Sequence, residues 1–359
     1  MQIWRVVFPV LVVVLLVLSL PGSIIAQDDE ALPLAETGPY GVGTTTLNLV
    51  DENREDRELV TDIWYPGVLP EGENQPRYGL RDAEPDDSGA PYSLLIYSHA
   101  WSGSRQELLQ INKHLVSHGF VVAAMDHMCN RGPNCLTVRP MDVLFVLDEL
   151  ADTESDLAAI IDTDNVGVFG YSDGGYTSVA VSGAQIDPLY FSEWWAEHGD
   201  GSTIVSIDLW NAPWDEVVAY RAQFDSLESD ELWPPLTDER IKAVMHFAPC
   251  YGPLFGEQGL AAVTIPTLIV DGTLDQFCPY IRDSVFIVEN IGSDQADLLT
   301  LVDTDHMFLF RSNLNSFWKQ FSTAFFGQHL QGQENYAEYL TEEYVEQFEG
   351  LAWGVYEEE

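Results

Sequence analysis

From Tyr92 onward the chain alternates short apolar runs with longer helix-like segments: SLLIYSH, QELLQINKHLVSHG, FVVAAMDH, MDVLFVLDELADTESDLAAI, NVGVFG and GGYTSVAVSG. Strands taking turns with helices imply βαβ units, and therefore a mostly parallel sheet covered by helices on both faces. The alternation resumes at IKAVMHFAP and continues through PTLIVDG and DLLTLVD to a helical NLNSFWKQFSTAFF. Upstream, TTTLNLV and ELVTDIWYP read as two further β-rich runs, the second ending at Pro66, and a loop rich in Gly, Pro and Asp follows at 67–91.

Between the two halves lies an interruption, residues 184–238, that contains Trp194, Trp195, Trp210, Trp214 and Trp233. It reads as an inserted helical cap on a core made of 27–183 and 239–330. Clustered tryptophans supply large rigid contact area, so Trp194 and Trp195 are candidate substrate contacts that would select an apolar acyl or aromatic group. Residues 331–359 are acidic and helix-forming in composition, and read as a solvated helix with a frayed tail.

The amino terminus bears on the compartment. Arg5 supplies a positive start, Val6 to Leu20 are apolar, Pro21 and Gly22 break the run, and Ala26 is a small residue before Gln27. This pattern is that of a cleaved secretory signal over residues 1–26, and of a secreted or periplasmic protein with no stable membrane anchor after cleavage. The alternative is a retained amino-terminal anchor, for which the apolar run is short.

Of the 359 residues, 46% are hydrophobic and 12% aromatic, enough apolar surface to offset the entropy of ordering the chain. Fifty-eight acidic residues against 15 basic ones give a formal charge of −43, so no basic surface exists to displace phosphate counterions and nucleic acid is not a partner. Oligomeric state is not legible. In an exported chain the four cysteines point to disulfides, and Cys129–Cys135 and Cys250–Cys278 are the expected pairs. Neither CxxC nor HExxH occurs, so no metal ligand set is visible, and no cofactor is called for.

Gly170, Ser172 and Gly174 in NVGVFGYSDGGYTS satisfy G-x-S-x-G, with a buried strand entering and a helical stretch leaving, as a nucleophile elbow requires. Small neighbours let the serine sit on so tight a turn, at the sheet edge where open α/β sheets keep their sites. Ser172 is thus the candidate nucleophile. Activation needs a base and an orienting acid in the order Ser, acid, His. His306, directly after the last strand, is the candidate base. Asp271 and Asp275 are the candidate acids, and placement favours Asp275, because it lies in a turn beyond the strand while Asp271 closes the apolar run. An oxyanion needs two backbone donors. One is the N–H of Asp173, after the nucleophile; the other comes from the loop in LLIYSHAWSGSRQE, where Trp101 is the first choice and Ala100 the next.

GPYGVGTTTL, LLIYSHAWSGSRQE, GFVVAAMDH, GYSDGGYT, DERIKAVMHFAP and PTLIVDGTLDQFCPY, in this order, resemble the dienelactone hydrolases and the bacterial relatives of platelet-activating-factor acetylhydrolase, with cutinase-like polyester hydrolases further off. The resemblance covers 38–183 and 238–328. It implies an α/β-hydrolase fold, a cofactor-free serine esterase and short-acyl ester substrates, whether small molecule, lipid or polymer. Carried over by motif, the family serine falls on Ser172, the histidine on His306 and the oxyanion amides on Trp101 and Asp173. Three departures stand out. Ser98-His99-Ala100 replaces the usual Ser-His-Gly; a serine stands where dienelactone hydrolases proper use cysteine; and no Asp or Glu lies between Lys242 and Gly256, after the strand where animal acetylhydrolases carry their acid. The acid is therefore left to Asp275 or Asp271. A ligand-binding protein that has kept the shell without turnover, and a serine peptidase, are the competing readings.

Overall fold

The computed structural model describes residues 32–72, 74–127, 135–198 and 231–356. The expected signal segment, Cys129 and the tryptophans at 210 and 214 lie outside the described residues. Within the described residues no helix is long and apolar enough to cross a membrane.

A ten-stranded sheet organises the fold. Strands β1 (Val42–Asp51) and β2 (Arg57–Pro66) form an antiparallel hairpin, and the short β3 (Leu80–Arg81) in the loop that follows pairs with β1. Then come β4 (Tyr92–Ser98), β5 (Val121–Met125), β6 (Ile161–Tyr171), β7 (Ile241–Phe247), β8 (Thr267–Gly272) and β9 (Ala296–Leu301), all parallel. The order across the sheet is β10-β9-β8-β7-β6-β4-β5-β2-β1-β3, where β10 is Leu351–Trp353. After β4 the chain steps to one side to make β5, returns to the other for β6, and then moves outward strand by strand. The crevice between β4 and β6 is therefore the topological switch point, where such sheets bind ligands at their carboxyl ends. This is an α/β-hydrolase fold.

Successive side chains of a strand point to opposite faces, and β4 shows both cores at once. Leu95 and Tyr97 join the layer under α1 (Leu109–Ser117) and the long helix Asn315–Gln331. Leu94 and Ile96 join the opposite layer under α2 (Cys135–Asp152), through Val143, Val146, Leu147 and Leu150. A third cluster packs α3 (Asp173–Val181) against α4 (Pro188–His198) and α5 (Gly252–Leu260).

The carboxyl terminus departs from expectation. Residues 334–356 are not a solvated helix with a frayed tail: a short helix at Glu342–Val345 leads to β10, which pairs antiparallel with β9. Val345, Phe348 and Leu351 are buried in the main core. These few apolar residues at close spacing outweigh the acidic composition around them, because each buried side chain of this kind stabilises by about 1.5–3 kcal/mol. The strand also covers what would be an open sheet edge.

Candidate active site

The turn after β6 is built around one strained residue. Ser172 adopts φ 58°, ψ −115°, a conformation that non-glycine residues rarely take and that persists only where the surroundings enforce it. Two glycines make it possible. A Cβ on Gly170 would lie 2.0 Å from the carbonyl oxygen of Gly174, and one on Gly174 would lie 1.9 Å from that of Ser98. The elbow is thus pressed directly onto the end of β4. Its backbone is tied down as well, since the Ser172 N–H donates to Phe247 O at 2.9 Å and its carbonyl accepts from Tyr176 N.

Three loops at the same sheet edge meet there. His306 follows β9 and Asp275 follows β8. His306 Nε2 lies 3.1 Å from Ser172 Oγ, and His306 Nδ1 lies 2.5 Å from Asp275 Oδ2. All three side chains are largely buried. An ionised carboxylate can only accept, so Asp275 fixes the proton on Nδ1 and leaves Nε2 to accept from the serine hydroxyl. The other carboxylate oxygen, Asp275 Oδ1, accepts from the N–H groups of Phe277 and Cys278, each at 2.8 Å. Tyr171 stacks on the imidazole with ring centroids 5.0 Å apart and donates its hydroxyl to His306 O at 2.8 Å.

The two candidate acids occupy different environments. Asp271 sits inside the end of β8, accepts from Ser284 Oγ at 2.6 Å and from Gly272 N at 2.7 Å, and is fully buried. Burial, and then the negative charge of neighbouring Asp275, push its carboxyl well above the ordinary range. Asp275, not Asp271, is the one in hydrogen-bond contact with the histidine.

Asp173, the first residue of α3, follows the serine at a helix end whose N–H groups lack intrahelical partners. Of the two candidates in the loop after β4, Ala100 is engaged elsewhere: its N–H donates to Glu107 Oε2 at 2.8 Å. Trp101 lines the cavity above the serine. His99 is not a second base. Its ring lies against Ala100 O at 2.7 Å and accepts from His127 N, and burial holds it neutral, down to about 2.

The cavity has a volume of about 320 Å³, and Trp101, Tyr171, Tyr251, Phe277, Met307 and Phe310 supply its large apolar and aromatic side chains. Trp194 and Trp195 are not among its lining residues. They sit on α4 beside Phe191 of the same helix, with ring centroids 6.1 and 6.0 Å away, and Trp233 is buried with its backbone N–H donating to Ile186 O. Cys250 also borders the cavity, and its sulfur lies at disulfide-bonding distance from that of Cys278, with Cα atoms 4.8 Å apart. Glu107, Tyr171 and Phe310 were not singled out from the sequence; Tyr171, inside the G-x-S-x-G motif, is the one with a signal that could have found it.

Residues 76–137 match the sequence model of the family described as platelet-activating factor acetylhydrolase, isoform II. The chain is similar to that family. The matched segment runs from the loop before β3 into α2, and so contains β4 and the 98–101 loop but not Ser172. It supports a lipase- or esterase-like hydrolase. No curated protein matches the chain.

Proposed function

We propose that this chain is an exported carboxylic-ester hydrolase that works by a serine nucleophile. The observation that carries this reading is the hydrogen-bonded line from Ser172 through His306 to Asp275, opening on an aromatic-walled cavity. Ser172 Oγ attacks the ester carbonyl while His306 Nε2 takes its proton, and the tetrahedral oxyanion is held by the N–H groups of Trp101 and Asp173. His306 returns the proton to the departing alcohol, leaving an acyl ester on Ser172. Water, deprotonated by the same imidazole, then attacks the acyl carbon and releases the acid. Asp275 accepts from the imidazole Nδ1–H throughout and stabilises the imidazolium.

A cavity of this volume and wall suits a short acyl group or an aromatic moiety on a small-molecule or lipid ester. The similarity to platelet-activating-factor acetylhydrolases agrees with an acetyl or other short acyl chain. The apolar Val6–Leu20 run supports export.

A fluorophosphonate probe tests the reading, because only an activated serine reacts. Labelling mapped to Ser172, together with hydrolysis of p-nitrophenyl acetate that Ser172→Ala abolishes, is the expected result. A folded protein that binds apolar esters without labelling or turnover would instead be a binding protein, and the enzymatic reading would fall.

A further inference from the structure

The reading above leaves open what aims the Trp101 amide at the reacting carbonyl, since a backbone loop has no intrinsic reason to hold one peptide plane. The residues around 99–101 answer this. Arg139, buried on α2, reaches the loop from one side: its Nη1 donates to His99 O at 2.6 Å and its Nη2 to Ala100 O at 3.3 Å. Glu107 reaches it from the other side, where Oε2 accepts both the Ala100 N–H at 2.8 Å and the Tyr97 hydroxyl at 2.6 Å. The His99–Ala100 peptide is thus held at both its ends by side chains of opposite charge.

The next peptide plane follows from the first. In a trans peptide the carbonyl and the N–H point in opposite directions. The Ala100 carbonyl is drawn inward by three donors, Gly103 N at 2.9 Å, Arg139 Nη2 and, in the tautomer with its proton on Nδ1, the His99 ring. Ser102 takes φ 60°, which closes the 100–103 turn. With that carbonyl held by these donors, the Trp101 N–H of the same plane points the opposite way, and Trp101 lines the cavity that holds Ser172 and His306.

We propose that Arg139 and Glu107 are positioning residues of the oxyanion loop, a clamp across the His99–Ala100 peptide that preorganises the Trp101 amide for the tetrahedral intermediate. Neither touches the reacting atoms. The inference rests on the serine-hydrolase reading and deepens it, by assigning a catalytic duty to a buried cation on α2 remote from the motif. Preorganised donors stabilise the oxyanion without reorganising at the moment of reaction, and a displacement near 1 Å lowers the rate by about 10²-fold.

The test compares wild type with Arg139→Gln, Arg139→Lys and Glu107→Gln on a soluble short-acyl ester. Each variant is also titrated with a boronic acid that forms a tetrahedral adduct on the serine, and labelled with the fluorophosphonate. The expected result is a fall in kcat of about 10²-fold for Arg139→Gln with KM changed by no more than about threefold, and boronate affinity falling with kcat/KM, as a transition-state analogue's must. Arg139→Lys, which restores a charged donor, recovers about tenfold of that loss. Glu107→Gln, isosteric and still an acceptor, gives a smaller fall with the same split. The clamp is overturned if Arg139→Gln keeps wild-type kcat, or loses it without losing boronate affinity. Should Arg139→Gln fail to fold, Arg139→Lys and Glu107→Gln decide alone, and wild-type kcat in both refutes the clamp. If wild-type protein itself is not labelled at Ser172, the parent reading falls, and the clamp with it.

Discussion

Among the described residues the same three residue types occur in the same hydrogen-bonded order twice. At the cavity, Ser172 Oγ meets His306 Nε2 at 3.1 Å and His306 Nδ1 meets Asp275 Oδ2 at 2.5 Å. Behind the 99–101 loop, Ser98 Oγ meets His127 Nε2 at 2.9 Å and His127 Nδ1 meets Asp142 Oδ2 at 3.0 Å. Connectivity alone does not distinguish them. What differs is everything around. Ser172 sits on a strained turn open to a cavity, whereas Ser98 closes a central strand and is fully buried, with no room for a carbonyl. Asp275 is bonded to one imidazole and two amides, with the Asp271 carboxyl beside it and, among the described residues, no cation; Asp142 accepts from Arg54 and from both Nε and Nη2 of Arg57. Burial would raise the Asp142 carboxyl, but the Arg57 and His127 hydrogen bonds overcome that and hold it below the usual range, so its charge is committed to the arginines. On the proposed reading, one triad is arranged for reaction and the other holds β2, β4 and α2 together. Access and surplus charge separate a mechanism from a brace.

Exchanging the two serines for alanine gives the sharpest contrast. Ser172→Ala is expected to lower kcat for ester hydrolysis by about 10⁶-fold, as removal of a nucleophile from such a unit does. Ser98→Ala loses one neutral hydrogen bond and should stay within about tenfold of wild type. Steady-state rates of the two purified variants on p-nitrophenyl acetate check this, and comparable losses in both would erase the distinction.

The acids come next. Asp275→Asn should lower kcat by up to about 10⁴-fold, because an amide in that position favours the wrong imidazole tautomer. Asp271→Asn should cost less than about tenfold, since its carboxylate oxygens accept from Ser284 and a backbone amide and not from the histidine. Both are read as kcat on variants shown to be folded by circular dichroism. A reversed order would mean that the carboxylate nearest the histidine is not the one that orients it.

The braces differ as well. Asp275 lies in the segment between Cys250 and Cys278, whose sulfurs are at disulfide-bonding distance beside Ser172, while Asp142 is held by guanidinium groups. A disulfide there closes a loop with a sequence separation of 28, so Cys250→Ala with Cys278→Ala is expected to lower stability by about 3–4 kcal/mol in urea unfolding. An unchanged midpoint in the presence and absence of reductant would show that the two sulfurs are not bonded in solution.

The sequence was most legible where a single backbone requirement forces residue identity. G-x-S-x-G inside a strand-to-helix pattern located Ser172, because glycine is the only residue that fits where Gly170 and Gly174 touch neighbouring carbonyls. The order of strands located His306 and Asp275 at one sheet edge. The tryptophans at 194 and 195 lie away from the cavity lining: aromatic composition cannot say which way a helix turns its face, and here both pack with Phe191 of their own helix onto the third core cluster. The acidic tail misled because charge dominates composition while a few apolar side chains decide docking. Arg139, Glu107 and the second triad were invisible. They are brought together by tertiary packing, across separations of up to 40 residues that carry no local pattern.

The smallest effect expected concerns His127 and pH. Burial first, and then the charges of Arg139 and Arg57, pull this imidazole down to about 4, against the upward pull of its Asp142 hydrogen bond and with the neutral His99 ring beside it. In the unfolded chain the same group titrates at its ordinary 6.5. Between these values the unfolded state binds a proton that the folded state refuses, so stability is greatest above 6.5 and falls as pH drops toward 4. Each pH unit in that window is worth about 1.4 kcal/mol for one such group. His99, His114 and His246, likewise buried and held low, add to the decline. Replacing His127 by Gln, which retains a donor and an acceptor, should therefore remove about one proton from the acid dependence of stability while leaving Ser172 reactive toward the fluorophosphonate. His306 offers the counterpart: His306→Gln should abolish labelling. Urea unfolding at pH ~7 and ~5 for both variants would separate the roles, and loss of labelling in His127→Gln with an unchanged pH slope would make His127 part of the reactive site.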